Sequence, residues 1–219
     1  MGSDGWTFDD GPGVIPDRVL HARLLRLAYS GRVTVPVLWD KDQGTIASNE
    51  SSEIIRMLNS AFADVGASGP DFYPVALQGE IDALNERIYP NVNNGVYRAG
   101  FAGTQAAYDE AVTAVFATLD WLEARLAAQR YLCGEVLTEA DWRLFTTLIR
   151  FDSVYVGHFK CNIRRIADYP HLTRYLRDLY RHEGIAGTVD FHHIKHHYYE
   201  SHRKVNPSGI VPKGPVLAL

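Results

Sequence analysis

The sequence predicts a mostly α-helical protein with a small α/β segment near its N-terminus. Apolar residues recur every three or four positions through most of the chain beyond residue 70, which is the period of an amphipathic helix. Strand-like alternation is confined to residues 31–47. We therefore divide the 219-residue chain into an N-terminal domain over residues 1–62 and an all-helical domain over residues 70–219, which ends in an extended tail.

Composition narrows the class of protein. The net charge is −4, so no basic field favours nucleic acid, and no apolar run is long enough to cross a bilayer. We expect a cytoplasmic protein with neither a nucleic-acid nor a membrane partner. Cys133 and Cys161 are the only cysteines, and no second pair makes a metal knuckle or a Cys-x-x-Cys motif. A structural disulfide is poorly supported in a cytosolic chain.

The N-terminal domain starts with loop-like residues and a short helix predicted over residues 16–29. Large apolar residues at Val33, Val35, Val37 and Trp39 then alternate with their neighbours as in a β-strand. Pro36 interrupts this strand and cannot donate a ladder hydrogen bond. It must therefore mark a sheet edge, a bulge or a cis peptide bond.

A turn at residues 42–44 separates this strand from a second one over residues 45–47, and residues 48–51 lead into an apolar helix. The start of a helix favours an anionic ligand, because its first N–H groups lack partners and the helix dipole is positive there. A strand, a turn and a capped helix with no ligand would give the same pattern.

Helices dominate the rest of the chain. Residues 71–88 carry apolar residues on one face, and the stretch 89–95 is rich in helix breakers, so we expect the helix to end there. Residues 106–128 form the longest periodic segment. Thr138 and Asp141 have the spacing of a capping box, which predicts a helix from that point through Ile149, with a break after Asp152.

Five segments resemble the Xi class of glutathione transferases, the glutathionyl-hydroquinone reductases, and the likeness covers nearly the whole chain. They are residues 32–40 (RVTVPVLWD), 49–56 (NESSEIIR), 93–102 (NNGVYRAGFA), 155–162 (YVGHFKCN) and 196–202 (HHYYESH). The resemblance implies a truncated thioredoxin-like glutathione-binding domain, an all-helical C-terminal domain and a homodimer. It also implies that glutathione is the co-substrate and that the reaction releases a hydroquinone from its glutathione conjugate.

The resemblance also implies roles for particular residues. In this class a cysteine attacks the substrate sulfur, the hydroquinone leaves, and a second glutathione resolves the mixed disulfide. Tyr97 would exchange a proton with the aromatic leaving group, while Tyr155 and Tyr198 would lower the pKa of the thiol. Ordinary half-buried tyrosines are the alternative. The residues implied to hold glutathione are Trp6, Arg32, Val33, Thr34, Val35, Glu50 and Ser51, the last two at its γ-glutamyl end.

One departure from the family concerns the nucleophile. In the family it belongs to a Cys-Pro-Trp-Ala segment, which this sequence does not contain, and neither Cys133 nor Cys161 occupies a matching position. Either Met1 is an internal methionine of a longer gene or the chain is a shortened, inactive relative. Both explanations predict that this chain lacks reductase turnover. A non-catalytic binding or docking module is the alternative function.

Histidines are concentrated near the C-terminus. His192, His193, His196 and His197 form pairs at four-residue spacing, an arrangement that can bind zinc on a helix. We find no carboxylate or cysteine at a matching position. We therefore predict a structural tail and no metal.

Overall fold

The structure, a computed structural model, describes residues 35–219. The predicted helix over residues 16–29 lies outside the described residues, as do four of the residues predicted to hold glutathione, Trp6, Arg32, Val33 and Thr34. The chain divides into two compact units, Met1–Ala67 and Ser68–Leu219. We describe each unit separately.

The described part of the first unit, residues 35–67, contains a small antiparallel sheet and one α-helix. Strand β1 (Leu38–Asp40) pairs with β2 (Thr45–Ser48), and helix α1 (Ser51–Ser60) follows. The Asp40 side chain closes the turn between the strands by accepting hydrogen bonds from two backbone N–H groups of the turn, each 2.9 Å long. Gly44 has φ +64°, a conformation that L side chains rarely adopt.

The predicted first strand is longer than the observed one. Val35 to Val37 lie outside the sheet, and pairing begins only at Leu38. Pro36 explains the late start because it has no N–H to donate to a partner strand. The Val35–Pro36 peptide bond is cis, which is one of the three alternatives that the sequence left open.

The second unit is helical, as predicted. Its α-helices are α2 (Gln78–Ile88), α3 (Gly95–Gly100), α4 (Gln105–Ala128), α5 (Glu139–Arg150), α6 (Pro170–Tyr180) and α7 (Phe191–Ser201). Single 3₁₀ turns lie at Ala63–Val65 in the first unit and at Val75–Leu77, Ile166–Asp168 and Ala186–Thr188 in the second. Helix α4 packs against α3 and α6, and its Leu119 and Leu122 side chains are completely buried.

One expected break is instead a π-helical turn, and the other begins later than predicted. The first turn, Tyr89–Asn93, lies between α2 and α3. The second, Phe151–Tyr155, extends α5 three residues past Asp152, and the helix ends there. Pro90 is exposed near the start of the first turn. The side-chain amide of Asn93 donates to the Arg143 carbonyl (3.0 Å) and the Thr147 hydroxyl (2.7 Å), and so anchors the first turn to α5. The breaker residues of the first turn therefore do not interrupt the helical path from α2 to α3.

The predicted capping box at the start of α5 is present. One carboxylate oxygen of Asp141 accepts hydrogen bonds from the Thr138 N–H (2.8 Å) and hydroxyl (2.9 Å). The other accepts from the Leu132 N–H (2.8 Å) and the Tyr175 hydroxyl (2.9 Å). Asp141 is fully buried, so this carboxylate joins α5, α6 and the preceding loop in the core.

The C-terminal tail lies along the last two helices. The Lys195 ammonium donates to the carbonyls of Lys213 (2.9 Å) and Gly214 (3.1 Å), and the Arg177 side chain donates to the Ala218 carbonyl (2.6 Å). The tail is therefore part of the helical unit. Within residues 35–219, no helix combines the length and the apolar character needed to span a membrane.

Candidate active site

Three phenols predicted to act together meet in the helical unit. The Tyr198 hydroxyl lies 2.5 Å from the Tyr97 hydroxyl and 2.9 Å from the Tyr155 hydroxyl. The three therefore form a continuous row of hydrogen-bonded hydroxyls with Tyr198 in the middle. We call this row the tyrosine row.

Each phenol comes from a different element. Tyr97 lies on α3, Tyr155 ends the π-helical turn after α5, and Tyr198 lies near the end of α7. The extra residue of a π-helical turn rotates the residues that follow it relative to a regular helix. The π-helical turn Phe151–Tyr155, which runs past the predicted break after Asp152, therefore helps to set the direction of the Tyr155 side chain.

Burial separates the three phenols. Tyr155 and Tyr198 are 2% and 5% exposed, whereas Tyr97 is half-buried. Burial raises the pKa of Tyr155, and the nearby phenols of Tyr198 and Tyr97 raise it further. Burial is also the main cause of the raised pKa of Tyr198. The two inner phenols therefore remain protonated at neutral pH.

The burial gradient favours one polarity of the row. Each hydroxyl carries a single proton, so the row donates either from Tyr155 outward or from Tyr97 inward. With the inward polarity, the Tyr155 hydroxyl would only accept from Tyr198. Its own proton would then be buried without a partner in the row, which costs a hydrogen bond. The outward polarity leaves the Tyr97 proton available to a ligand.

Aromatic rings pack closely behind the row. The Phe159 ring lies nearly parallel to that of Tyr155, with centroids 5.5 Å apart, and tilts against Tyr97 at 5.4 Å. Gly100 allows this packing because a Cβ atom there would lie only 2.1 Å from the Phe159 ring. The α3 backbone thus approaches the ring more closely than any residue with a side chain would permit.

The residues predicted to hold glutathione that the structure describes belong to the first unit. Val35 is 71% exposed next to Pro36. Glu50 and Ser51 are exposed at the start of α1, a helix without a side-chain hydrogen bond at its N-cap. Exposed groups at an uncapped helix start suit the binding of an anion. Their role in binding glutathione stays a prediction.

Both cysteines are poor nucleophiles. Cys133 and Cys161 are free thiols buried in the helical unit, at 7% and 0% exposure. Burial raises the pKa of Cys161 to about 12 and also raises that of Cys133. Because the thiolate is the attacking species, neither residue suits nucleophilic attack at neutral pH.

The histidine-rich start of α7 requires one correction. We predicted that no carboxylate accompanies these histidines, but Asp190 has a ligand atom within 4.8 Å of those of His192 and His193, and Glu200 lies 3.0 Å from His196. Asp190 was not considered because it precedes the helix. It is the N-cap and accepts a hydrogen bond from the His193 N–H at 2.9 Å. Capping explains its position without a metal.

Two further residues beside the tyrosine row were missed. His158 and His202 hydrogen-bond through their rings, with Nε2 and Nδ1 3.1 Å apart. The signal was present in the sequence, because His158 follows Tyr155 by three positions and His202 follows Tyr198 by four. These spacings place each histidine near its tyrosine wherever the chain is helical.

Comparison with known proteins agrees with the fold and the motifs. The family model described as "Glutathione S-transferase, N-terminal domain" matches residues 4–61, and the one described as "Glutathione S-transferase, C-terminal domain" matches residues 105–178. Glutathionyl-hydroquinone reductase PcpF of Sphingobium chlorophenolicum is 55% identical over 226 residues, covering 100% of this chain and 72% of the relative.

Solved structures show the same similarity. Glutathione-bound YqjG, a glutathione transferase homolog from Escherichia coli K-12, superposes with a TM-score of 0.91 at 57% identity, covering 97% of this chain and 72% of that one. The glutathione S-transferase Xi of Phanerochaete chrysosporium gives 0.92 at 50% identity, covering 99% and 78%. The predicted fold class and family are therefore confirmed. The chain belongs to the glutathione transferase family and, within it, to the Xi class.

Proposed function

We propose that the function of this protein is glutathione-dependent reduction, in which a hydroquinone is released from its glutathione conjugate. The observation that carries the proposal is the tyrosine row, in which two buried phenols support a third that is half-buried. The similarity to a reductase named for glutathionyl-hydroquinone supports the same substrate class.

The reaction needs a proton donor at the aromatic ring. A cysteine thiolate attacks the sulfur of the conjugate, a sulfur–sulfur bond forms, and the bond between sulfur and the ring carbon breaks. The electron pair passes to that ring carbon, which then takes a proton. A second glutathione reduces the mixed disulfide and leaves as glutathione disulfide. The nucleophilic thiol is neither Cys133 nor Cys161, because both are buried and have raised pKa values.

Tyr97 is the proton donor in this proposal. It occupies the more exposed end of the row, and outward polarity directs its proton away from Tyr198. When Tyr97 gives up its proton, the Tyr198 hydroxyl can donate to the phenolate, and Tyr155 can donate to Tyr198 in turn.

We propose a further task for Tyr155 and Tyr198. The Tyr155 hydroxyl is buried and hydrogen-bonded to that of Tyr198, which in turn bonds Tyr97. We therefore propose that these two phenols act on Tyr97. That both also lower the pKa of the thiol stays a prediction.

Glutathione itself is assigned to the first unit. We propose that Glu50 and Ser51 hold its γ-glutamyl end at the start of α1, and that the exposed Val35 backbone pairs with its cysteinyl part. Trp6 and residues 32–34 complete the set in this proposal. A glutathione-dependent reductase works where glutathione keeps thiols reduced, so we place it in the cytoplasm. We expect a homodimer, which sedimentation velocity tests.

The test compares ligands that differ only in the group on sulfur. We expect calorimetry to show binding of glutathione, tighter binding of glutathionyl-hydroquinone, and no comparable gain for S-methylglutathione, since a methyl group cannot accept a proton or hydrogen bond. Equal affinity for the two conjugates would contradict a site built for the hydroquinone. No binding of any of the three would contradict the proposal as a whole.

The buried cysteines favour one alternative, a binding module without catalytic activity. Such a module would hold glutathione without distinguishing the hydroquinone conjugate. The comparison of ligands therefore separates the two functions.

A further inference from the structure

The hydrogen bond between His158 and His202 connects the two segments that carry the inner phenols. His158 is 4% exposed and follows the π-helical turn that ends at Tyr155. His202 is the C-cap of α7, the helix that carries Tyr198. Apart from the tyrosine hydroxyls themselves, this ring-to-ring bond of 3.1 Å is therefore a direct polar link between the same two elements.

Aromatic packing orients the pair relative to the tyrosine row. Tyr155, Phe159 and His202 form a stack in which successive rings are inclined by 8° and 11°. The His202 ring also meets Tyr198 edge-on at 5.4 Å. A shift of His202 would therefore disturb the stack under Tyr155 and the side of Tyr198 together.

We propose that His158 and His202 are positioning residues that set the distance between the Tyr155 and Tyr198 hydroxyls. Their hydrogen bond fastens the end of α7 to the turn after α5. Only the claim that the aligned phenols serve the reaction rests on the proposed function. The positioning itself can be tested without a substrate.

The link requires an uncharged acceptor. In an N–H···N bond one ring donates and the other must keep a free lone pair, so both rings cannot be fully protonated. The described groups that face the pair electrostatically are Lys160 beside His158 and His197 beside His202. Both are basic. The phenols in ring contact with His158, Tyr198 and Tyr199, are uncharged and have raised pKa values. This setting disfavours added positive charge.

Acid should therefore release the link. Burial, followed by His202 and Lys160, lowers the pKa of His158 from 6.5 to about 4. Burial and His197 likewise lower that of His202. Above this range the neutral pair holds Tyr198 in place, and below it two charged rings repel each other.

Two substitutions separate hydrogen bonding from packing. His202→Asn retains an amide near the position of Nδ1 and can still bond His158, but it does not titrate. His202→Phe retains the aromatic ring and its stacking and removes the nitrogen. The matched control is His192→Gln, an exposed position on the same helix.

The readout is NMR of isotope-labelled tyrosine ζ-carbons, which follows each phenol separately, with circular dichroism to confirm folding. We expect the Tyr155 and Tyr198 signals of the parent and the control to shift on acidification from pH 6.5 towards pH 4. In His202→Asn they should remain at their neutral-pH positions. In His202→Phe they should be displaced at every pH, and the affinity for glutathionyl-hydroquinone should fall by about 3- to 10-fold, which corresponds to the loss of one hydrogen bond.

Either of two results would overturn the proposal. One is a folded His202→Phe variant with parental Tyr155 and Tyr198 signals. The other is a parent protein whose Tyr155 and Tyr198 signals do not shift on acidification. This second test does not depend on whether the Phe variant folds. Displaced signals with no conjugate binding by the parent would contradict the proposed function while supporting the positioning role.

Discussion

The hydroxyls of Tyr97 and Tyr198 lie 2.5 Å apart, although the residues come from helices α3 and α7 at distant points of the chain. Because Tyr198 also bonds the buried Tyr155, a half-buried phenol is backed by two hydroxyls that stay protonated. This asymmetry leaves Tyr97 at the more exposed end of the row, and for that reason we propose it as the proton donor.

Removing the Tyr97 hydroxyl should weaken binding of the hydroquinone conjugate specifically. We expect Tyr97→Phe to lower the affinity for glutathionyl-hydroquinone by about 3- to 10-fold and to leave that for glutathione unchanged, because one hydrogen bond contributes about 0.5–1.5 kcal/mol. Calorimetry measures both. Tyr89→Phe, at an exposed position two turns earlier, is the control. An equal loss for the two ligands would argue against this role.

The chain should show no steady hydroquinone release from glutathionyl-hydroquinone and glutathione. Its two thiols are buried and have raised pKa values, so neither attacks at neutral pH. A thiol reagent should likewise modify Cys133 and Cys161 only slowly until denaturant is added. Continuous turnover, or rapid labelling of the folded chain, would show that one of these thiols is reactive.

Glutathione binding should depend on the start of α1. We expect the double variant Glu50→Ala with Ser51→Ala to elute early from immobilised glutathione, because it loses a charge and a hydroxyl at an uncapped helix terminus. Ser60→Ala, at the opposite end of the same helix, should be retained like the parent. Equal retention of all three proteins would place the glutathione site elsewhere.

Stability should depend on the protonation of His158. The folded-state pKa of His158 is lowered from 6.5 to about 4, so between these values the unfolded chain binds more protons than the folded one. Its contribution to stability is therefore complete above pH 6.5 and is lost as the pH falls towards 4. Urea unfolding at several pH values should show a shallower acid decline for His158→Gln than for the parent.

His192→Gln, at an exposed position, is the control for this series. Parallel stability curves for His158→Gln and the parent across the whole range would mean that His158 does not contribute to the acid response.

The capping box should contribute measurably to folding. We expect Thr138→Ala to lower the free energy of unfolding by about 1–2 kcal/mol. Asp141→Ala should cost more, about 3 kcal/mol or above, because its carboxylate accepts four hydrogen bonds in the core. Thr146→Ala, at an exposed position on the same helix, should change stability much less. Urea denaturation curves with unchanged slopes would provide the values, and a Thr138→Ala curve equal to the parent's would contradict the capping role.

Local patterns predicted much of the fold. The apolar period of residues 106–128 identified α4 to within one residue, and the spacing of Thr138 and Asp141 identified the start of α5. Both depend on neighbours within a few positions. The turn at Tyr89–Asn93 could not be predicted in this way, because contacts such as that of Asn93 with Thr147 allow the chain to stay helical past its breaker residues.

The candidate site shows the same limit. Family motifs identified Tyr97, Tyr155 and Tyr198, but nothing local revealed that one hydroxyl would bridge the other two. His158 and His202 were missed because their partnership depends on where α7 meets the turn after α5. Sequence reasoning could suggest that each histidine lies near its own tyrosine. Only the tertiary structure shows that the two histidines meet.

The absence of a side chain at Gly100 lets α3, the helix that carries Tyr97, pack directly against the Phe159 ring. The Phe159 ring occupies the space that a Cβ atom would need, so even an alanine would force α3 and the ring apart. Such a change would widen the gap from Tyr97 to Tyr198 without touching a single polar atom. The placement of Tyr97 in the row therefore depends on a residue that has no side chain and hence no polar side-chain group.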